Sequence, residues 1–197
     1  MKYKNVVFDY GNVIGRFDGR YMLGQFCESE KDCSLLAPII YARWQELDKG
    51  TVSYDEYVEN IVSSVPARLE DTVRSFFRGW PDCITPIRET QELIDELHAE
   101  GVPMYLLSNA PTYFAEWASG SEVLKKFRGV VFSAPLKMAK PDPAIYRYLF
   151  ETYSLNPEES FFIDDLEANV EAGRALGMEG IIYTGDTSKV KAALGMI

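Results

Sequence analysis

Histidine and cysteine are scarce in this sequence, which contains one histidine and three cysteines among its 197 residues. Cys27, Cys33 and Cys83 show no CxxC spacing, and all three precede residue 84. A zinc site or a disulfide framework is therefore not expected, and a reducing cytoplasm is the simplest setting. His98 lies near the end of a predicted helix, where a cation is favourable, so we interpret it as a structural residue.

Basic residues are also in the minority, with 20 Lys and Arg against 30 Asp and Glu and a formal net charge of -10. Because binding a polyanion relies on clustered Lys and Arg, no nucleic-acid partner is expected. No apolar run approaches the roughly 20 residues that a membrane-spanning helix needs, so no membrane partner is expected either. The N-terminal segment MKYKNVVFDYGNV is interrupted by Asp9, and we predict a first strand there, not a signal peptide.

Five short apolar runs have the composition of buried strands, and helical patterns alternate with them from the second run onward. After Lys140, Asp142 is placed to cap a helix that has Pro143 at its first position. This alternation predicts an α/β fold, with a Rossmann-like parallel sheet and helices on both faces. The predicted strands span residues 6–8, 104–107, 130–132, 161–163 and 181–183, and two further predicted helices span 87–100 and 167–176.

About seventy residues separate the first strand from the helix before the second, far more than a usual strand-to-helix loop. Helical periodicity recurs in this stretch, and Ser53 with Glu56 forms a capping-box pattern. We predict a Rossmann-like core made of residues 1–15 and 83–197, and a small helical cap of residues 16–82 inserted after the first strand. Its predicted helices span residues 21–28, 35–47, 54–62 and 69–77, and the hinges lie near Gly15 and Pro81.

Polar side chains stand just beyond the ends of the predicted strands, where ligands bind in a doubly wound sheet. Taken singly, each has an ordinary explanation as a turn or helix-cap residue. Together they would form a costly unpaired charge cluster unless an ion or a ligand completed it. We therefore predict one site at this edge, made of Asp9, Ser108, Asn109, Lys140, Asp164 and Asp165.

The charges in this set indicate its chemistry. Asp9, Asp164 and Asp165 repel one another unless a cation lies among them, and an all-oxygen set suits Mg²⁺. The hydroxyl, amide and ammonium groups of the other three residues are suited to bind phosphate. Once the charge is neutralised in this way, a carboxylate oxygen of Asp9 can attack phosphorus in line.

The same residues, in the same order, resemble the motifs of the haloacid dehalogenase (HAD)-like hydrolase superfamily over essentially the whole chain. FDYGNV resembles the first motif, LLSNA the second, KPDPAIY the third and FIDD the fourth. The DxGNV form of the first motif and the insert after it resemble the helical-cap (C1-type) phosphatase subgroup, including glucose-1-phosphate phosphatase-like members. The resemblance implies a Mg²⁺-dependent phosphatase that hydrolyses a small phosphorylated metabolite, with sugar phosphates as one candidate class, through a phosphoaspartate intermediate.

The resemblance also implies a role for each site residue by its position in the motifs. The roles are those of nucleophile, phosphate ligand, metal ligand and support of the metal site. The resemblance implies that Asp9 is the nucleophile and that Ser108, Asn109 and Lys140 bind phosphate. It implies that the metal ligands are Asp9, the Gly11 backbone carbonyl, Asp165 and Asp164. Asn169 is implied to support the metal site.

Gly11 departs from the usual pattern of the superfamily. Most of its phosphatases carry a second aspartate two residues after the nucleophile, which protonates the leaving oxygen and later activates water. Because general acid catalysis contributes roughly 10²- to 10⁴-fold, turnover is expected to be slow unless another group substitutes. Asp18, just beyond the first strand, is our candidate acid/base, and a helix cap is its alternative role.

Two other functions stay open at this point. A haloacid-type dehalogenase also lacks the second aspartate, although it has no need of the acidic pair Asp164 and Asp165. A catalytically weak member would bind a phosphorylated ligand without turning it over. In each case we expect a small-molecule partner, a cytoplasmic location and a monomer or weak homodimer.

Overall fold

The computed structural model describes all 197 residues, and seven β-strands run along the chain. They are β1 (Asn5–Phe8), β2 (Gly15–Arg16), β3 (Thr85–Pro86), β4 (Met104–Ser108), β5 (Gly129–Phe132), β6 (Ser160–Asp164) and β7 (Glu179–Ile182). Five of them form a parallel sheet in the order β5-β4-β1-β6-β7, so that β1 is central, with β4 and β6 on either side. The other two, β2 and β3, pair with each other as a short antiparallel ladder.

Eleven α-helices connect and cover the strands, and none is long and apolar enough to cross a membrane. Asp142 caps the helix after Lys140 as predicted, because its carboxylate accepts a hydrogen bond from the Ala144 N–H (2.9 Å). The helices are α1 (Gly19–Gly24), α2 (Glu30–Tyr41), α3 (Trp44–Lys49), α4 (Tyr54–Ser64), α5 (Glu70–Gly79), α6 (Arg88–Ala99), α7 (Thr112–Ala118), α8 (Ser133–Leu136), α9 (Pro143–Tyr153), α10 (Glu167–Arg174) and α11 (Thr187–Leu194).

The strand residues divide between the two faces of the sheet because successive side chains point in opposite directions. In β1, Val6 and Phe8 belong to one apolar core, which also contains residues of α1 to α6 and of α11. Val7 belongs to a second core, on the other face, together with Ile145 and Leu149 of α9. The predicted α/β fold, a Rossmann-like parallel sheet with helices on both faces, is confirmed.

The segment after β2 is helical as predicted, but its boundaries differ. The predicted helix 35–47 is two helices, because Ser29 caps α2 at an earlier point and Arg43 leaves helical geometry (φ -127°, ψ 24°). The Ser53 hydroxyl accepts a hydrogen bond from the Glu56 N–H (3.2 Å), as expected for a capping box. The sequence did not predict α11 or the β2–β3 pair, and strands of two residues carry no periodicity that could reveal them.

The C-terminal end of α3 packs directly against α8 at the carboxyl end of β5. Gly50 follows α3 with φ of 68°, in the left-handed region that favours glycine. A Cβ atom at Gly50 would overlap the backbone carbonyl of Ala134. Beside this contact, the Ser133 hydroxyl donates a hydrogen bond to the backbone carbonyl of Asp48. These two contacts fix the end of α3 to the sheet.

Replacing Gly50 by alanine should therefore destabilise the protein more than the same change at Gly101. Both glycines have positive φ, but a Cβ atom at Gly101 would meet open space. We expect a loss of about 1–2 kcal/mol for Gly101→Ala from backbone strain alone. The overlap with Ala134 should add at least ~1 kcal/mol for Gly50→Ala, which denaturant unfolding can measure. Equal losses in the free energy of unfolding for the two variants would show that the close packing of α3 on α8 does not contribute to stability.

Candidate active site

The carboxyl ends of β1, β4 and β6 meet at one edge of the sheet, beside a cavity of about 630 Å³. Asp9 directly follows β1, and its N–H donates to the carbonyl of Ile163 in β6 (2.9 Å), which fixes it at this edge. Asp164, the last residue of β6, lies fully buried behind the cavity wall. The other predicted nucleophile, phosphate and metal residues line the cavity, namely Asp9, Gly11, Ser108, Asn109, Lys140, Asp165 and Asn169.

Lys140 is a buried ammonium between two buried carboxylates. Its Nζ atom lies 2.7 Å from Asp164 Oδ2 and 2.8 Å from Asp9 Oδ1, and only 1% of its side chain is exposed. Burial alone would lower the pKa of Lys140, but the charges of Asp9 and Asp164 outweigh it and raise the pKa. Lys140 therefore stays protonated, and it offsets part of the negative charge at the edge of the sheet.

The Asp9 carboxylate is buried and only partly satisfied. Burial raises the pKa of Asp9 to about 6, the Lys140 ammonium opposes the shift, and the Asp164 carboxylate adds to it. Asp9 Oδ1 accepts no hydrogen bond of good geometry, although the Lys140 ammonium is ion-paired with it at 2.8 Å. This buried oxygen is therefore ion-paired but not fully satisfied, and a further cation or a ligand would complete its interactions.

Asp164, in contrast, is saturated with donors. Its Oδ1 accepts from the Leu166 N–H (2.8 Å) and from Asn169 Nδ2 (3.0 Å), and its Oδ2 accepts from Lys140 Nζ. The backbone carbonyl of Asn169 accepts in turn from the Tyr146 hydroxyl (2.8 Å). Asp164 is therefore held rigidly, and its main contact at the site is with Lys140.

Asn12, in the first motif, positions Asp165. Its Nδ2 donates to Asp165 Oδ2 (3.1 Å), and its Oδ1 accepts from the Phe17 N–H (3.1 Å). Asn12 itself has φ of 55°, a left-handed conformation that asparagine tolerates better than most residues. The pKa of Asp165 is raised, chiefly by burial, while the Asn12 hydrogen bond opposes the shift. Sequence reasoning gave Asn12 no role, although its place beside the nucleophile was a usable signal.

The Asn109 side chain holds the backbone of Lys140. Its Nδ2 donates to the Lys140 carbonyl, and its Oδ1 accepts from the Lys140 N–H, both at 2.8 Å. This reciprocal pair fixes the loop that carries the ammonium. Asn109 lines the cavity as expected, but its amide is already engaged, so a direct contact with phosphate stays a prediction.

The residues at this edge fit a divalent cation. One oxygen from each of Asp9, Asp164 and Asp165 lies within 4.8 Å of the others. A single ammonium leaves this cluster negative, and Asp9 Oδ1, which lacks a well-aligned hydrogen bond, offers an acceptor for a cation. Carboxylate and backbone carbonyl oxygens, the latter available at Gly11, are the donors that Mg²⁺ prefers.

Asp18, the predicted acid/base, lies outside this cavity. Its side chain is exposed, and its Oδ1 accepts from the Tyr21 N–H (2.9 Å) as the N-cap of α1. It borders a separate, shallower cavity together with Arg16 and Glu89. The structure therefore shows the helix-cap arrangement, and it does not bring Asp18 to Asp9.

Asp48 is a cavity residue that the sequence did not reveal. It lies on α3, one residue beyond the end of the predicted helix 35–47, and it lines the same cavity as Asp9. Nothing in the local pattern distinguishes it from the many other acidic residues of the chain. Only the packing of α3 against the sheet brings it to the site.

Comparison with known proteins extends over nearly the whole chain. A family model described as haloacid dehalogenase-like hydrolase matches residues 3–177. Sesquiterpene phosphatase astK of Aspergillus oryzae is 25% identical over 184 residues, which are 92% of this chain and 90% of that protein. D-ribitol-5-phosphate phosphatase of Bacteroides thetaiotaomicron is 25% identical over 188 residues, which are 89% of each protein.

Solved structures share the architecture. A HAD family enzyme from Bacteroides thetaiotaomicron, crystallised with magnesium and inorganic phosphate, has a TM-score of 0.75 at 23% identity, covering 95% of this chain and 98% of that one. L-2-haloacid dehalogenase from Xanthobacter autotrophicus, with chloropropionic acid covalently bound, has a TM-score of 0.65 at 15% identity, covering 90% and 76%. At these identities, the likeness shows a common fold and nothing finer.

Replacing Lys140 by methionine should destabilise the protein by about 3–5 kcal/mol in metal-free buffer, because it leaves two buried carboxylates without a counter-charge. Burial already raises the pKa of Asp9 above its unfolded value, and losing the ammonium raises it further. At low pH Asp9 is protonated in both the folded and the unfolded state, so the variant is destabilised least there. The loss in the free energy of unfolding, measured with denaturant, should therefore grow from about pH 5 to about pH 8.

Lys125 provides the matched control for Lys140→Met. It pairs with Glu122 on the surface, and both side chains are mostly exposed. Lys125→Met should change the free energy of unfolding by less than about 0.5 kcal/mol at either pH. A similar small loss for Lys140→Met would contradict the view that its ammonium balances Asp9 and Asp164.

We predict that Mg²⁺ stabilises the folded protein by binding the native carboxylate cluster in preference to the unfolded chain. At about 100 times its dissociation constant, the gain in the free energy of unfolding should be roughly 2.7 kcal/mol. Asp165→Asn should reduce this gain, whereas Asp55→Asn, an exposed change on α4, should preserve it. An equal Mg²⁺ effect in both variants, measured by thermal unfolding, would argue against the cluster as the metal site.

Proposed function

The chain belongs to the haloacid dehalogenase-like hydrolase superfamily, and from this premise we propose that it is a Mg²⁺-dependent phosphatase of the helical-cap, DxGNV-motif subgroup, acting on a small phosphorylated metabolite. One observation carries the proposal. A buried, partly unsatisfied carboxylate, Asp9, lies beside a buried ammonium and two further carboxylates at the carboxyl edge of the sheet. This combination suits nucleophilic attack on a phosphorus atom that a cation and Lys140 hold in place.

The proposed metal ligands are the carboxylates of Asp9 and Asp165 and the backbone carbonyl of Gly11. Asp164 is assigned mainly to Lys140, because its oxygens already accept from Lys140, Asn169 and the Leu166 N–H. When bound, Mg²⁺ would neutralise the carboxylates and withdraw charge from the phosphoryl oxygens. Asn169 supports the site by fixing Asp164.

The chain's own groups account for binding and attack. The Lys140 ammonium and the Ser108 hydroxyl bind phosphoryl oxygens, and Asn109 holds the Lys140 loop in position. An Asp9 oxygen attacks phosphorus, the bond to the ester oxygen breaks, and a phosphoaspartate forms on Asp9. Attack by water on this intermediate releases phosphate and restores the Asp9 carboxylate.

We assign residues 16–82 as a helical cap and residues 1–15 and 83–197 as the core. The antiparallel pairing of β2 with β3, at the two points where the chain crosses between these parts, supports the division. One wall of the cavity is aromatic, built from Phe17, Trp44 and Trp80 of the cap and Phe114 of α7. The cap is therefore proposed to determine substrate specificity by contacting the organic part of the phosphate ester.

The named activities of two relatives bear on the substrate class. One is a sesquiterpene phosphatase and the other a D-ribitol-5-phosphate phosphatase, and both align with about nine-tenths of this chain. Both names describe phosphate removal from an organic molecule, although the organic parts differ greatly in polarity. We therefore propose a phosphomonoester of a small metabolite, with sugar and polyol phosphates to be compared directly with prenyl phosphates.

A panel of such phosphomonoesters should reveal Mg²⁺-dependent phosphate release by the wild-type protein. Asp9→Asn should abolish this release, because the amide cannot act as the nucleophile. Rapid quenching of the wild-type reaction should trap an acid-labile phosphate on Asp9, which mass spectrometry of the protein can locate. Asp55→Asn should behave as wild type.

The same experiment separates the competing functions. Phosphate release that persists in Asp9→Asn would refute the proposed nucleophile. Chloride release from 2-chloropropionate that is indifferent to chelation of Mg²⁺ would assign the chain to the dehalogenases. Tight binding of a phosphorylated ligand, without any labelled Asp9, would assign it to the weak, ligand-binding members.

A further inference from the structure

The cavity is also lined by Asp48, whose carboxyl group the proposed attack by Asp9 does not use. Asp48 is partly buried, and it enters the cavity from α3, together with Trp44 and Gln45 of the same helix. It is not part of the close carboxylate cluster, which comprises Asp9, Asp164 and Asp165. Asp48 is therefore separate from the proposed metal ligands, and it lines the cavity in which the ester is proposed to bind.

The backbone of Asp48 is anchored to the phosphate side of the site. Its carbonyl accepts a hydrogen bond from the Ser133 hydroxyl, and the oxygen of that hydroxyl accepts from the Ala110 N–H (2.9 Å). Ala110 directly follows Ser108 and Asn109 in the chain. The same short chain of hydrogen bonds thus joins the Asp48 backbone to the loop that is proposed to receive the phosphate.

The environment of Asp48 favours the protonated carboxyl near neutral pH. Burial, followed by the negative charge of Asp9, raises the pKa of Asp48 to about 8, while the Trp44 indole and the Lys140 ammonium oppose the shift. The other charged residues of α3 are Lys49, which is exposed at the cavity rim, and Glu46, which is paired with Arg43. A carboxyl group with its pKa near the working pH is suited to give up and take back one proton.

The usual source of this proton is missing, and the space for it is open. At Gly11, where most superfamily phosphatases have their second aspartate, a Cβ atom would meet nothing within 4 Å. Asp18 is occupied in capping α1 and borders the other cavity. Two acids that line the cavity lie outside the proposed metal site, Asp48 and Asp142, and the Asp142 carboxylate is already engaged in capping α9.

Building on the proposed function, we propose that Asp48 is the general acid and base of this phosphatase, supplied by the cap in place of the residue absent at position 11. In the first step Asp9 attacks phosphorus, the bond from phosphorus to the ester oxygen breaks, and the Asp48 proton passes to that oxygen to give the alcohol. In the second step the Asp48 carboxylate takes a proton from water as the water oxygen attacks phosphorus. The bond between phosphorus and Asp9 then breaks, and both carboxyl groups return to their starting states.

Two esters of nearly equal shape test this role, namely 4-nitrobenzyl phosphate and 4-nitrophenyl phosphate. The benzyl alcoholate is a poor leaving group that needs a proton, whereas the nitrophenolate leaves without one. Asp48→Asn should lower kcat for the benzyl ester by roughly 10²-fold or more. With the phenyl ester it should give a rapid burst of about one equivalent of nitrophenol, followed by slow turnover, because only hydrolysis of the phosphoaspartate then needs the base.

The controls keep this test separate from the proposed function. Wild-type protein must hydrolyse both esters and form acid-labile phosphate on Asp9, and if it does neither, the proposed function and the role of Asp48 fall together. Asp55→Asn should match wild type, and Asp48→Glu, which keeps a carboxyl group, should recover part of the benzyl-ester rate. If Asp48→Asn does not fold, as judged by thermal unfolding, Asp48→Ser is scored by the same criteria.

Three results would overturn the role of Asp48 while leaving the nucleophile intact. One is wild-type kinetics in Asp48→Asn on both esters. Another is an equal loss on both esters without a burst, which would indicate that Asp48 only binds the substrate or supports the cap. The third is the leaving-group dependence and burst appearing in Asp18→Asn, which would assign the proton transfer to Asp18.

Discussion

The buried ion triad of Lys140, Asp9 and Asp164 is the interaction on which this structure depends. Two carboxylates and an ammonium are withdrawn from water at the edge of the sheet, where none of them would be tolerated alone. Most of the nearby hydrogen bonds serve to hold this triad. Asn109 grips the backbone that carries the ammonium, and Asn169 and the Leu166 N–H fix Asp164. Asp9 is the member of the triad whose hydrogen bonding is incomplete, and it is also the proposed nucleophile.

The fold explains why the triad can form from residues so distant in the chain. Parallel pairing of β1 with β4 and β6 brings the three carboxyl ends together, so Asp9, Ser108 and Asp164 meet although about 155 residues separate the first from the last. The inserted helices contribute differently. They share one apolar core with a face of the sheet and place aromatic rings and Asp48 over the same edge. The core thus supplies the fixed charges, and the proposed cap supplies the opposite wall.

The sequence predicted the sheet and the clustering at its edge because both follow from strong local signals. Buried strands read as apolar runs, and each is followed directly by a polar residue, as Phe8 is by Asp9. Asp18 and Asp48 could not be distinguished in the same way. Both are acidic residues in helical surroundings, and their placement depends on how α1 and α3 pack, which long-range contacts decide. The engagement of Asn109 with the Lys140 backbone was equally hidden, since it joins two loops that local patterns treat separately.

The central position of β1 also affects how the protein folds while it is being synthesised. Its neighbours β4 and β6 lie about 100 and 155 residues further along the chain. At a synthesis rate of about 5–20 residues per second, β4 is synthesised roughly 5–20 seconds after β1. During this time the apolar residues Val6, Val7 and Phe8 have no strand to pair with. The aromatic helices α1 to α5 are complete before that partner exists. A newly made chain therefore carries an unpaired, aggregation-prone strand beside a nearly finished helical segment, and the ribosome-bound stage is where chaperones would be needed most.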